Sequence, residues 1–229
     1  MLIDKLTANF ITENRWKYLL YGLRNTLIIT IFALIIGLIL GFCVALIINY
    51  NKNTGKLKIL SKLCGVYLTV IRGTPIMVQL LIAYYGIFAS IEDMSPIIVA
   101  IITFGINSGA YQAEIFRSGI ESISKGQLEA GRSLGFSYTQ TMNRVILPQA
   151  VKNILPTLVN EFTSLLKETS VAGYITVMDL TKGGDIIRSI TYSPFIPYLA
   201  VAFIYLCVVM LLSSLAKCLE RSMKKNDAK

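Results

Sequence analysis

An all-α integral membrane bundle of five transmembrane helices, with the amino terminus outside and the carboxyl terminus cytoplasmic, is the architecture this sequence predicts. Three observations carry it. Of 229 residues, 54% are hydrophobic and 15% charged, well under the roughly 25% charge of a soluble domain. Residues 27–48 hold no charge at all, and as a helix they reach about 33 Å, the hydrocarbon thickness of a bilayer. Lysines and arginines are unevenly placed: 14 fall in segments that five spans put inside and 7 in those outside, the asymmetry that sets orientation.

In chain order, the opening MLIDKLTANFITENRW lacks a basic stretch followed by an apolar one, so no cleavable signal peptide is expected and the first span serves as its own insertion signal. That span covers about 18–50 and leaves through NYNKNTGK. The second covers about 57–90 and carries one internal charge, Arg72. The third, about 96–117, follows the short acidic turn SIEDMSP. The fourth, about 148–166, is the weakest, because Pro156 and Glu161 interrupt it and its polar groups would be expensive against lipid. The fifth, about 195–216, sits in the uncharged run 189–216. No internal repeat or low-complexity tract appears, so residues 1–229 read as one transmembrane domain.

Several functions are excluded by what the chain lacks. A net charge of +9 raises nucleic-acid binding, but the basic residues border the apolar runs, where membrane anchors belong. Cys43, Cys64, Cys207 and Cys218 lie in or beside apolar runs, and the sequence has no histidine. The cysteines therefore read as small apolar fillers, with no metal set. No serine–lysine or paired-aspartate site falls at a credible depth, so no residue is expected to be catalytic. GxxxxGK[ST] is absent; NTGKLK lacks its first glycine and its hydroxyl, so any ATP and magnesium would bind to a partner.

Between spans three and four, residues 124–147 mix polar residues and glycines. As a helix, Leu128, Gly131, Leu134, Gly135, Tyr138 and Met142 share one face at spacings of three and four. Ser124 with Gln127 fits a capping box, and Gly135 is alternatively the end of a shorter helix. An amphipathic connector on the membrane surface satisfies this pattern as well as a docking element does.

The motif itself is more specific. Glu129-Ala130-Gly131, three residues, Gly135, then nine residues to Val145-Ile146-Leu147-Pro148 resembles the EAA loop of ABC-importer permeases, with glycine at its third place and valine for its isoleucine. The resemblance implies a coupling helix that docks in a groove of a separate ATP-binding subunit. Glu129, Ala130, Gly131, Arg132 and Gly135 would make the contact.

In span two, Arg72 at mid-span belongs in the bundle interior or a water-filled cavity, unless it snorkels from nearer the interface. Pro75 cannot donate to the Ile71 carbonyl, so the helix bends or unwinds there. Thr74 and Gln79 flank the break. In span four, Asn160, Glu161 and Ser164 fall within one turn. Glu161 has two readings, a structural pair for Arg72 or an acceptor for a ligand's cation. Lys167 and Glu168 read as solvated rim charges. The long outer segment 168–194 has a Gly183-Gly184 break and is either a partner surface or a gate cover.

RGTP with its following VQ, and NEF with its following LLKETS, also resemble the polar amino-acid branch of these permeases, a likeness running from about 22 to 215. It implies a type I, five-span permease subunit in a bacterial cytoplasmic membrane. That subunit pairs as a homodimer or with a similar permease, joins two ATPase subunits, and takes its substrate from an extracytoplasmic amino-acid-binding protein. Arg72, Thr74, Gln79, Asn160, Glu161 and Ser164 would then bind a polar, possibly basic, amino acid during alternating access. An ATP-independent transporter or channel is the alternative.

Overall fold

The computed structural model describes residues 2–227, with side-chain surroundings over 4–215. Cys218 and the basic side chains from Lys217 onward lie outside the described side chains. Every element among the described residues is helical. A short amino-terminal helix α1 (Leu2–Leu6) leads through a π-turn and a 3₁₀ turn into α2 (Trp16–Thr54). At 39 residues, α2 is about 58 Å long, nearly twice the roughly 30 Å hydrocarbon layer. It stops where Gly55 takes a left-handed φ of 70°.

The span expected over 57–90 is two helices rather than one. α3 (Lys58–Gly73) and α4 (Ile76–Ile82), which continues as a π-turn through Ile87, meet at 106°. The expected kink is thus a right-angle break. α5 (Pro96–Glu121) begins with proline in its first turn, where no donor is lost. The segment 124–147, open to one helix or to a shorter one ending at Gly135, is α6 (Lys125–Ser133), α7 (Tyr138–Thr141) and a π-turn that runs into α8 (Leu147–Glu168). A 3₁₀ turn and α9 (Leu180–Thr191) follow, then α10 (Ile196–Asp227), which runs eleven residues past the expected end at 216.

Three of the described helices are long and apolar enough to cross a membrane, namely Trp16–Thr54, Pro96–Glu121 and the first twenty residues of α10; the broken pair passes the same test only when its two halves are taken together. The expected fourth span, α8, does not meet that standard. Lys152, Asn153, Asn160, Glu161, Lys167 and Glu168 dilute it, and its apolar side is turned to α5, where Ala150 and Ile154 are buried.

α2 and α5 form the spine. They run parallel, with Ala33 and Ile36 on Gly105, Gly37 on Gly109, and Gly41 on Ala113. A Cβ on Gly41 would sit 2.8 Å from the Ala113 nitrogen, so only hydrogen fits at this crossing. α3 returns along α2, with Cys64 packed on Val44 and Ala113. α8 runs antiparallel to α5, with Ile154 against Gly119. One cluster, including Phe116, Ile120, Met142 and Ile146, ties α7, the π-turn after it and α8 to α2 and the carboxyl-terminal end of α5. At the opposite end Leu19, Leu180, Ile187 and Val201 tie α9 to the starts of α2 and α10. Gly183 and Gly184 are buried inside α9 against Tyr18 and Val201, so they mark a close crossing, not the expected break.

Candidate functional site

The break between α3 and α4 is stitched by one side chain. Pro75 leaves the Ile71 carbonyl without its helical donor, and the Gln79 amide supplies one at 2.8 Å. The same Nε2 also donates to the Thr74 carbonyl (3.1 Å) and hydroxyl (2.8 Å), and that hydroxyl donates to the Val70 carbonyl at 2.8 Å. From α5, Asn107 Nδ2 donates to Gln79 Oε1 at 3.0 Å. Thr74 and Gln79, expected to face a ligand, therefore hold the broken backbone in shape. That is how irregular backbone survives at membrane depth.

Arg72 lies beside this break on the wall of a cavity of about 300 Å³, which it shares with Thr74, Asn107, Tyr111 and Glu168. Such a volume is at the lower end for small-molecule sites. Its guanidinium is 3.8 Å from Glu114 and 5.6 Å above the Tyr111 ring. Glu114 is more firmly engaged by Arg117, which reaches both carboxylate oxygens. Arg72 thus has a weak claim on its partner, and its side chain remains 41% exposed. Of the two readings of Glu161, a pair with Arg72 is not formed, because the ion-pair partner of Arg72 is Glu114 on α5. Glu168, expected as a rim charge, lines the cavity, and Lys167 is exposed as expected.

Glu161 occupies an adjoining face. Ser108 on α5 donates to Glu161 Oε1 at 3.1 Å, and Gln112 donates to Ser108 at 2.8 Å. Asn107 with Tyr111 and Ser108 with Gln112 are two i,i+4 rows about 100° apart on one helix. The first row faces Arg72 and the second faces Glu161. Asn160 is exposed, Ser164 half-buried, and the Asn160 carbonyl receives the Thr163 hydroxyl. The α5 polar residues Asn107, Ser108, Tyr111, Gln112 and Glu114 were missed in the sequence reading. Their signal was present, since amides, hydroxyls and a carboxylate inside an apolar span are costly unless they meet one another or a cavity.

From Arg72 a ladder of alternating charge descends α5. Arg72 faces Glu114, Glu114 faces Arg117, Arg117 reaches Glu121 at 2.6 Å, and Glu121 reaches Lys52 of α2 at 2.7 Å. Glu121 and Lys52 border a second cavity of about 310 Å³ whose other wall is Lys125 and Leu128 of α6. The site is thereby joined to the motif-bearing segment.

That segment closes on itself. Gly131 is buried under Thr141 of α7, whose side chain leaves no room for a Cβ. Gly135 takes φ +85° and ends α6, and the Phe136 N–H returns to the Gly131 carbonyl at 3.1 Å. Leu134, expected on the apolar-to-small face, is 77% exposed. Glu129, Ala130, Arg132 and Gly135 are exposed beside it. Ser124 does cap α6, accepting from the Gly126 N–H, but the reciprocal capping box is Ser137 with Gln140.

The sequence pattern of the family described as "Binding-protein-dependent transport system inner membrane component" matches residues 33–225. The chain belongs to this family. A putative glutamine transport system permease protein, GlnP, of Rickettsia typhi is 39% identical over 210 residues, covering 91% of this chain and 94% of the relative. The arginine transport system permease protein ArtQ of Bacillus subtilis is 35% identical over 211 residues, covering 92% and 94%. In three dimensions the chain is similar to one in the crystal structure of an amino acid ABC transporter with histidines, with a TM-score of 0.84, 39% identity and coverage of 93% and 98%. The expected ABC-importer permease fold is therefore the observed one, and the ATP-independent alternative is set aside. Membership in this binding-protein-dependent family also carries the expectation of an ATP-binding subunit and a substrate-binding protein.

On the face with α9, a cavity of about 290 Å³ is lined by Ser170, Lys182, Asp185 and Tyr198. Arg188 and Lys182 hold the Asp185 carboxyl down to about 2. Asp179, by contrast, is fully buried; it caps α9 through the Lys182 N–H and accepts from the Gly173 N–H at 2.6 Å. Burial pushes its carboxyl up to about 6.

Proposed function

We propose that the chain is the permease subunit of an ATP-driven importer for a polar amino acid in a bacterial cytoplasmic membrane. The observation that carries the substrate class is the pair of charges at mid-bundle. Arg72 borders a cavity with only a long contact to Glu114, and Glu161 faces the neighbouring row of α5 with one oxygen engaged. A zwitterion offers a carboxylate to the first and an ammonium to the second. The glutamine and arginine permeases among its relatives support the class.

Two copies of this chain would form the pathway, joined to two ATPase subunits that bind ATP and magnesium, with an extracytoplasmic binding protein delivering substrate. The exposed Glu129, Ala130, Arg132 and Gly135 surface suits docking to the ATPase. Nucleotide-driven closure would move α6 and α7, rock the bundles outward, and let hydrolysis restore the inward state. This chain would perform no covalent step.

Direct binding of glutamine and arginine to the purified permease–ATPase complex tests the reading. Arg72→Ala and Glu161→Gln should each weaken binding at least tenfold while the complex still assembles. Unchanged affinity in both variants overturns the assignment.

A further inference from the structure

We infer that Ser108 and Gln112 are positioning residues for ligand binding, a buried relay that aims the free oxygen of Glu161 at the cationic group of the substrate. This rests on the reading of Glu161 as a ligand group. Gln112 is fully buried and Ser108 is 1% exposed. The Gln112 amide donates to the Ser108 oxygen at 2.8 Å, and Ser108 donates to Glu161 Oε1 at 3.1 Å. A hydroxyl has a single proton. With Gln112 donating to it, Ser108 commits that proton to the carboxylate, so the relay has one direction.

The relay is built into the spine. Gly37 of α2 makes room for Gln112, since a Cβ there would lie 2.6 Å from the amide nitrogen. Gln112 Oε1 is buried without a hydrogen-bond partner among the described residues, so the amide is not kept for its own satisfaction. A free glutamate has three rotors to order when a ligand arrives. Here Oε1 is already pinned, and Oε2 is presented with less entropy left to lose.

Hydrogen bonds to a charged group are worth enough that removing Ser108 should weaken a dependent ligand roughly tenfold. The test is direct binding to the permease–ATPase complex in lipid nanodiscs, without the binding protein, whose own selectivity would mask the effect. The probes are arginine, glutamine and glutaramate, which is glutamine without its α-ammonium. In Ser108→Ala and Gln112→Met, affinity for an ammonium- or guanidinium-bearing probe should fall five- to tenfold, with glutaramate changed less than about twofold. A fall for both amino acids assigns the ammonium to Glu161, a fall for arginine alone assigns the guanidinium, and either supports the relay. Ser108→Thr, which keeps the hydroxyl, should recover the affinity. Equal losses for all three probes, or no loss where Glu161→Gln does lose affinity, overturn the relay. If Glu161→Gln itself changes nothing, the ligand reading beneath it is what fails.

Discussion

Gly131 occupies the third place of a motif whose family pattern has alanine there, and the structure makes a sharp prediction about restoring it. In an isolated helix, Gly131→Ala would gain about 1 kcal/mol. Here the added Cβ would meet the Thr141 methyl, its hydroxyl at 2.8 Å and its Cβ at 3.2 Å. Overpacking of this kind costs about 1–3 kcal/mol, so the clash should offset or exceed the gain, leaving Gly131→Ala about 0–2 kcal/mol less stable. Thr141→Ala alone loses a buried methyl and the bond from its hydroxyl to the Ser137 carbonyl, together about 1–2 kcal/mol. In the double variant the obstruction is gone and the new methyl fills part of the space. The two changes should therefore be non-additive by at least about 1 kcal/mol, well above the scatter for independent sites. Hydrogen exchange across residues 125–146 in the assembled complex reads the local stability, and the ratio of ATP hydrolysed to substrate imported reads coupling. Gly131→Ala should loosen the segment and raise that ratio, with Thr141→Ala restoring both. Simple additivity would refute the packing argument.

Three further outcomes follow from the geometry. Glu114→Gln frees Arg72 from a competitor in a half-exposed pair worth no more than about 1 kcal/mol, so ligand should bind up to about fivefold tighter; weakening comparable to Arg72→Ala would make the ion pair a structural requirement. Asp179 has a folded-state pKa raised from 3.8 to about 6, so the folded state binds its proton more tightly. Its contribution is full below about pH 4 and is lost as pH rises through 6, at most about 3 kcal/mol. Exchange protection over 173–183, corrected for intrinsic rate, should fall between pH 4 and 7, and a flat profile contradicts this. Leu134→Cys and Tyr192→Cys, at positions 77% and 92% exposed, should react with an impermeant thiol reagent only from the cytoplasm and only from outside, respectively; the reverse pattern would invert the orientation read from charge.

What sequence made legible was whatever local chemistry fixes. Composition and uncharged runs located α2, α5 and α10. Pro75 announced the break, and Gly135 was named as a helix end. The angle at the break escaped because it depends on Gln79 and Asn107 meeting across two helices. A pair between Arg72 and Glu161 was one of two open readings because both are charges in apolar runs, and no spacing rule connects either one to Glu114. Gly183-Gly184 looked like a break since two adjacent glycines weaken a helix; the approach of Val201 and of Tyr18, the latter far away in sequence, reversed its meaning.

The distribution of polarity along α5 explains how one helix serves two places. Its amino-terminal third packs Val99, Ala100 and Phe104 into an apolar cluster, its middle turns carry the amides and hydroxyls facing Gln79 and Glu161, and its carboxyl-terminal third bears Glu114, Arg117 and Glu121. Phe116 and Ile120 of that same third pack on Met142 and Ile146 of the motif-bearing segment. A displacement of α7 and the turn after it would therefore reach the carboxyl-terminal end of α5 through apolar contact. Gly37, Gly41, Gly105 and Gly109 interlock α5 with α2 at distances that leave no play, so the two helices must move as a unit. Arg72 belongs to α3, which packs on that unit through Cys64 against Val44 and Ala113 and adds a 3.8 Å ion pair to Glu114, whereas α4 is tied to it by the Asn107–Gln79 bond. In alternating access the spine would then act as the lever, and the 106° break, held by polar contacts at Gln79, would be where it yields.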